Sequence, residues 1–194
     1  MDESTLTNSE NDSFYSKDTL NTVSDTEIPE VEGFDYSLPK LISSISNVLM
    51  EIIQDNKLNV NPCYIKKDCF YSKRIPVMSL EDYLKRIVKY ANVEISTLIC
   101  SVMYIDKMCE KNNYILCFNN IHRLLLTAVV ISSKFNEDNH YNNRYYAKIG
   151  GITIDEMNDL ELLMCSYLDF KIFILPENYE KYDKFFRHCQ SKQT

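Results

Sequence analysis

Hydrophobic residues recur at helical spacing along most of this chain, and one stretch, residues 119–135, is apolar on nearly every side. Its main stripe follows helical spacing and comprises Ile121, Leu124, Leu125, Ala128, Val129 and Phe135. The opposite side carries Leu126, Val130 and Ile131 instead of charges. A helix that is apolar nearly all round lies inside a domain, surrounded by other helices. The pattern therefore predicts a buried central helix.

The same apolar stretch is too short to cross a membrane. His122 and Arg123 lie at its start and Lys134 closes it, which leaves fewer than the roughly 18 apolar residues that a span needs. We therefore expect this chain to have no membrane partner.

Six further segments show helical periodicity, and local signals mark where several of them begin or end. The predicted helices cover about residues 39–56, 80–91, 94–111, 144–149, 154–168 and 176–188. Thr153 and Glu156 form a capping-box pattern before an apolar run, and Gly150–Gly151 is a helix stop. Three glycines and five prolines against 45% hydrophobic residues also favour long helices over many short strands. The predicted fold class is all-α.

Charge is unevenly distributed, and this predicts the domain organisation. Residues 1–37 hold ten acidic residues against one lysine, a net charge of −9, with only scattered apolar residues. Such a composition cannot bury enough surface to offset the entropy of ordering, so 1–37 is predicted to be a disordered acidic tail. Residues 38–188 are predicted to form a single domain, followed by a short tail at 189–194. Because 38–194 is nearly neutral, with 18 acidic and 20 basic residues, we expect no nucleic-acid partner.

The cysteines and the N-terminal composition indicate a reducing compartment. The seven cysteines are odd in number and include no CxxC pair, so neither a disulfide framework nor a zinc site is predicted. The first residues are acidic and polar and do not resemble a basic-then-apolar secretion signal. The expected location is the cytoplasm, the nucleus or both.

No pattern of catalytic residues is present in the sequence. It lacks a Gly-rich phosphate loop, a GxSxG elbow and an HExxH helix, and its three histidines are far apart. We therefore predict no catalytic residue, no metal site and no cofactor, and a protein that is not an enzyme.

Four charged residues lie in or beside apolar helices and need partners. Arg86 and Asp106 lie on successive helices and are predicted to form a structural ion pair, because an unpaired buried charge is costly. Lys134 ends the central helix, where its charge favours the helix C-terminus, and Glu161 lies mid-helix among leucines. From chemistry alone, a purely structural pair of Lys134 with Glu161 is the simpler interpretation.

An ordered set of segments resembles the cyclin box of the P/U-type (phosphate-pathway-like) cyclins. It comprises Pro76, SLEDYLKRI at 79–87, VMYIDK at 102–107, NIHRLLLTAVVISSKF at 120–135, YNNRYYAKIGGI at 141–152, EMNDLEL at 156–162 and LDF at 168–170. The resemblance implies a five-helix bundle around a central buried helix, at about 76–175, with additional N- and C-terminal helices. It also implies a non-catalytic subunit that binds and activates a cyclin-dependent kinase as a heterodimer.

The resemblance further implies roles for individual residues. Lys134 and Glu161 match a charged pair that meets the kinase near its mobile C-helix. Four residues match apolar positions of the same surface: Ile131, Phe135, Cys165 and Phe170. Arg86 and Asp106 match a structural pair between the first two box helices. Tyr141, Asn142 and Asn143 also belong to the matched segments, but the sequence gives them no role.

A kinase-independent helical adaptor in a transcription or regulatory complex remains the alternative function. The presence of both Lys134 and Glu161 favours the kinase regulator over the adaptor, because only the regulator requires this charged pair at a contact surface.

Overall fold

The computed structural model describes residues 38–191, which form seven α-helices and one short 3-10 helix. The α-helices are α1 Leu38–Asn59, α2 Leu80–Ala91, α3 Ile95–Asn112, α4 Ile121–Asn136, α5 Asn143–Gly150, α6 Ile154–Tyr167 and α7 Pro176–Ser191, and the 3-10 helix is Pro62–Tyr64. No strand occurs within residues 38–191. The all-α prediction is confirmed, whereas the predicted disordered tail at 1–37 lies outside the described residues.

Helix α4 is the central helix, as its apolar pattern predicts. It contacts each of α2, α3, α5 and α6, and its residues from Leu124 to Ser133 are buried without interruption. Buried hydroxyl groups on α4 are bonded to backbone: Thr127 Oγ1 donates to Arg123 O at 2.7 Å, and Ser132 Oγ to Thr97 O at 2.9 Å. These bonds remove the penalty for burying polar groups in an apolar helix.

The helix ends follow the local signals in the sequence. Thr153 Oγ1 accepts from Glu156 N while the Glu156 carboxylate accepts from Thr153 N, so the capping box that starts α6 is formed. Gly151, with φ of 69°, caps the end of α5 in the left-handed conformation. Gly150 lets α5 approach α4, because a Cβ there would lie 2.2 Å from Leu126 Cδ2. Local sequence signals thus determine where α5 ends and where α6 begins.

The loop between α1 and α2 packs firmly on the bundle. Asp68 accepts hydrogen bonds from the hydroxyl groups of Tyr114 and Tyr167, each at 2.9 Å, and Phe70 is fully buried. The Lys66 ammonium lies 5.0 Å from the centre of the Tyr167 ring and 5.7 Å from that of Tyr114. This loop therefore covers the bundle near the start of α4.

The flanking helices complete the arrangement. Helix α1 packs against α2 and α7, and α7 also packs against α3. None of the helices in residues 38–191 is both long enough and apolar enough to cross a membrane. The C-terminal end of α4 is left at the edge of the bundle, where α4, α5 and α6 meet.

Candidate functional site

Lys134 and Glu161 meet at the C-terminal end of α4. Lys134 Nζ lies 2.6 Å from Glu161 Oε1, and both side chains are partly exposed. Lys134 is in the last turn of α4, where a cation interacts favourably with the helix dipole by about 0.3–1 kcal/mol. The structure therefore brings together the two charged residues that the sequence singled out.

Asn143 joins this pair from the first turn of α5. Its Nδ2 donates to Glu161 Oε2 at 2.6 Å and to Asn158 Oδ1 at 2.8 Å. Both carboxylate oxygens of Glu161 are thus bound, one by Lys134 and one by Asn143, which fixes the direction of the carboxylate. Asn143 could not be assigned a role from the sequence, because its hydrogen bond to Glu161 spans 18 residues between two helices and leaves no periodic signal.

The two residues before Asn143 shape the start of α5. The Asn142 side chain caps the helix by accepting from Tyr145 N at 3.1 Å, and the Tyr141 ring stacks on Tyr145 with centroids 4.1 Å apart. These contacts hold Asn143 within hydrogen-bonding distance of Glu161. Each residue of the matched segment 141–143 thus makes a contact that shapes the start of α5 or holds Glu161.

The four apolar residues implied by the resemblance differ in accessibility. Phe135 is 46% exposed and Phe170 is 66% exposed, whereas Cys165 is partly buried. Ile131 is only 3% exposed, because it lies one turn before Phe135, where α4 is still enclosed by its neighbours. We call Lys134, Phe135, Glu161, Cys165 and Phe170 the candidate contact surface.

Phe170 is presented by a strained backbone. Asp169 and Phe170 have φ of 51° and 58°, in the left-handed region that costs a residue with a side chain about 1–2 kcal/mol. Phe170 N donates to Cys165 O at 2.8 Å and so closes the end of α6. Strain of this kind concentrates at functional positions.

Helix α3 holds the backbone around Phe170, from Asp169 to Ile172. Lys111 forms an ion pair with Asp169, and its hydrogen bond lowers the pKa of that carboxyl group. Lys107 Nζ donates to Lys171 O at 2.7 Å, and Tyr104 OH donates to Ile172 O at 2.8 Å. Helix α3 therefore fixes successive backbone positions after α6. These contacts keep the Phe170 side chain directed outward.

An apolar cleft of about 460 Å³ opens beside Phe135. Its walls include Cys100 of α3, Tyr179 of α7 and Phe173, which is 65% exposed. Burial raises the pKa of the Cys100 thiol to about 11, so this group is neutral at physiological pH and adds to the apolar lining. Sequence reasoning missed Phe173, whose segment lies between helices and has no regular spacing.

The predicted Arg86–Asp106 ion pair requires correction. Arg86 is exposed, and its Nη2 donates to Lys148 O at 3.4 Å, whereas buried Asp106 accepts from Tyr182 OH. Within residues 38–191 the two residues form no ion pair with each other. Arg86 lies on the side of α2 that faces α5, whereas Asp106 faces α7. Sequence reasoning correctly required a partner for the buried carboxylate but assigned the wrong helix to supply it.

Comparison with known proteins agrees with this architecture. The model of the cyclin family matches residues 7–172. Cyclin-U4-1 of Arabidopsis thaliana is 34% identical over 160 residues, which cover 81% of this chain and 78% of the relative. PHO85 cyclin-7 of Saccharomyces cerevisiae is 31% identical over 180 residues, covering 81% and 63%. Cyclin-P3-1 of Oryza sativa subsp. japonica is 32% identical over 146 residues, covering 74% and 62%.

These relatives include the P and U types that the motifs resemble, so the predicted resemblance is confirmed. The five helices α2 to α6, packed around α4 and flanked by α1 and α7, match the expected box with additional helices. The chain belongs to the cyclin family.

Proposed function

We propose that this chain is a regulatory subunit that binds a cyclin-dependent serine/threonine kinase and activates it by positioning the kinase C-helix. Membership of the cyclin family supports a regulatory role, and the name of one relative, PHO85 cyclin-7, links that relative to PHO85. The observation that carries the proposal is the candidate contact surface, in which a fixed ion pair lies among exposed aromatic side chains. Catalysis belongs to the kinase in this proposal, and the chain itself is not an enzyme.

The mechanism follows from what a kinase active site requires. The lysine of its β3 strand and the glutamate of its C-helix must pair before nucleotide phosphates and Mg²⁺ are correctly held. A cyclin surface that binds only the inward position of the C-helix shifts the kinase toward that position. The shift is limited by the difference in affinity for the two positions.

The exposed aromatic side chains provide most of the affinity in this proposal. Phe135 and Phe170 offer apolar area, and the cleft between Phe135 and Phe173 can accept an apolar side chain of the kinase. A stable heterodimer of this kind buries on the order of 1,200–2,000 Å² in total. The strained backbone at Phe170 is fixed by α3 before binding, which reduces the ordering cost.

In this proposal the Lys134–Glu161 ion pair sets the orientation of the bound kinase. Lys134 uses one of its three N–H donors on Glu161, so two remain for acceptors on the kinase. Glu161 keeps acceptor capacity for a donor on the kinase, and Asn143 holds its carboxylate in one direction. Charged groups at an interface edge fix register and partner choice more than they add affinity.

Affinity capture from a native lysate tests the proposal. Wild-type protein should retain a protein kinase, identified by mass spectrometry, and the folded double reversal Lys134→Glu with Glu161→Lys should not. The matched control reverses the partly exposed pair Lys85–Glu81, separated by 2.7 Å on α2, and should retain the kinase. If wild type and double reversal retain the same proteins and no kinase is among them, the adaptor function replaces the kinase regulator.

A further inference from the structure

The stretch 75–78, just before α2, exposes apolar side chains to solvent. Val77 is fully exposed, Ile75 is 55% exposed and Met78 is 40% exposed. Single exposed apolar residues are common on protein surfaces, whereas a contiguous exposed apolar patch indicates an interaction site. This stretch therefore offers apolar area for a partner.

Hydrogen bonds to the start of α4 hold the backbone of this stretch. Ser72 N donates to Asn119 O at 2.8 Å, and the ring Nε2 of His122 lies 3.0 Å from Met78 O. Between these two points, Ser72 Oγ donates to Arg74 O at 2.7 Å. The exposed side chains thus belong to a preformed surface, and binding to such a surface has a low ordering cost.

Two cations precede the apolar residues. Lys73 and Arg74 are exposed, and within residues 38–191 neither forms an ion pair. The nearest carboxylates along the chain are already bound, because Asp68 accepts from two tyrosine hydroxyl groups and Glu81 pairs with Lys85 at 2.7 Å. What we call the loop surface comprises Lys73, Arg74, Ile75, Val77 and Met78.

The complementary chemistry occurs in residues 25–36, shortly before the described part of the chain. This stretch, DTEIPEVEGFDY, contains five acidic residues and no basic residue. Its apolar side chains alternate with these charges, at Ile28, Val31, Phe34 and Tyr36. A stretch of this composition cannot form a core of its own, but it can bind across a surface that matches its charge and its apolar side chains.

Helix α1 brings residues 25–36 close to the loop surface. Near the start of α1, Ser43 Oγ donates to Glu81 Oε1 at 2.9 Å. Leu38, the first residue of α1, lies only about 7.5 Å from Ser43 along the helix axis. Glu81 in turn follows Met78 by three residues. The stretch 25–36 therefore joins α1 beside the surface that matches its chemistry.

We propose that residues 25–36 dock on the loop surface of their own chain, with carboxylates on Lys73 and Arg74 and apolar side chains on Ile75 and Val77. The short tether gives an effective concentration of about 1 mM, so a weak affinity is sufficient. Exposed ion pairs contribute little on their own, so the apolar contacts are also required. The docked stretch would exclude other acidic partners from the loop surface.

Zero-length cross-linking of the whole chain, residues 1–194, tests this docking without a kinase. A carbodiimide joins a lysine ammonium group to a carboxylate with which it is in direct contact, and mass spectrometry identifies the joined peptides. Lys73 should be joined to carboxylates of residues 25–36. These cross-links should be at least about fivefold more abundant than those from Lys73 to residues 2–12, whose four acidic residues have a longer tether.

A variant of the loop surface distinguishes docking from mere proximity. Ile75→Ser with Val77→Ser keeps every charge and the same tether, and it should lower the Lys73 cross-links at least about threefold because apolar contact is lost. The matched control, Leu58→Ser with Tyr64→Ser, changes two exposed apolar residues elsewhere between α1 and α2 and should lower them by less than about 1.5-fold. All four side chains are more than half exposed, so both variants should fold.

Three results would overturn the inference. Lys73 could lack cross-links to residues 25–36, or the Ile75–Val77 variant could form as many as wild type, which would mean that proximity alone brings the groups together. In a mixture of isotope-labelled and unlabelled chains, cross-links that join one chain to the other would assign the loop surface to a second copy. The inference does not depend on the proposed kinase regulation, so failure here leaves kinase capture to be judged separately.

Discussion

Two ion pairs join α4 to α6, and they have the same length but different surroundings. Arg123 meets Glu156 at 2.6 Å near the start of α4, and Lys134 meets Glu161 at 2.6 Å near its end. Arg123 also donates to Cys69 O at 2.8 Å, in the packed loop between α1 and α2. The Lys134–Glu161 pair instead adjoins the exposed Phe135. The length of an ion pair therefore does not indicate a binding site, whereas the apolar surface around it does.

The polar groups at the start of α4 are used within the protein. Asn120 Nδ2 donates to Ile115 O at 2.8 Å, and the His122 ring Nε2 lies 3.0 Å from Met78 O. Burial lowers the pKa of His122, which keeps this ring neutral at physiological pH. We therefore expect changes at the start of α4 to lower stability and changes at its end to lower kinase binding.

Phe135→Ala should have the largest effect. It removes an exposed aromatic ring from the wall of the cleft, and we expect kinase affinity to fall by about 2 kcal/mol or more, while stability changes little. Titration of purified kinase measures affinity, and urea unfolding measures stability. Tyr64→Ala, at an aromatic residue that is 69% exposed in the loop before α2, is the control. Equal loss of kinase affinity in Phe135→Ala and Tyr64→Ala would contradict the assignment of kinase binding to the C-terminal end of α4.

Arg123→Met should have the next largest effect, and we expect this effect on stability and not on kinase affinity. It removes the ion pair with Glu156 and the hydrogen bond to Cys69 O, so the free energy of unfolding should fall by about 1–3 kcal/mol. Kinase affinity per folded molecule should stay unchanged. Urea unfolding and kinase titration check the two expectations. A variant with full stability but weakened kinase binding would reverse the roles assigned to the two ends of α4.

Thr153→Ala should have a smaller effect, because it removes the side chain that accepts from Glu156 N at the start of α6. We expect the midpoint of urea unfolding to shift by an amount that corresponds to about 1 kcal/mol. Thr153→Ser keeps the hydroxyl group and serves as the control. If Ser and Ala destabilise the protein equally, the capping bond does not contribute to stability.

The smallest expected effect is a pH dependence at Glu156. The hydrogen bond from Thr153 N, followed by that from Arg123, lowers the pKa of the Glu156 carboxyl group below its ordinary value of 4.5. A lowered folded-state pKa gives stability that is present above 4.5 and is lost as pH falls through the folded value.

Glu156→Gln removes this titration while keeping a hydrogen-bond acceptor. The stability difference between wild type and Glu156→Gln should be greatest near neutral pH and should shrink as pH falls below 4.5 and through the lower folded-state pKa. Urea unfolding across this pH range measures the difference. A difference that grows toward acid would show that the folded-state pKa is raised instead.

Much of the fold could be predicted because its signals are local. Each helix carries its own apolar periodicity, and Thr153 and Gly151 cap their helices as the sequence indicates. The burial of α4 followed from the absence of charge along its apolar stretch. Such signals lie within a few residues of one another, so they can be read without knowledge of the tertiary arrangement.

The site was less predictable because its parts depend on contacts between helices. The resemblance pointed to Lys134 and Glu161, but the contribution of Asn143 required the position of α5. The left-handed conformations of Asp169 and Phe170 oppose the usual preference of residues with side chains, and tertiary contacts with α3 fix the backbone there. No local sequence pattern indicates backbone strain of this kind.

The most direct test of the central claim measures activation of a purified kinase that wild-type protein has captured. The assay follows phosphorylation of a peptide substrate by the kinase alone, with wild type, with Lys134→Glu plus Glu161→Lys, and with the reversed Lys85–Glu81 control. We predict that wild type and control stimulate the kinase and that the folded Lys134–Glu161 reversal stimulates it at least about tenfold less. Full stimulation by that reversal would contradict the claim that this ion pair orients the kinase.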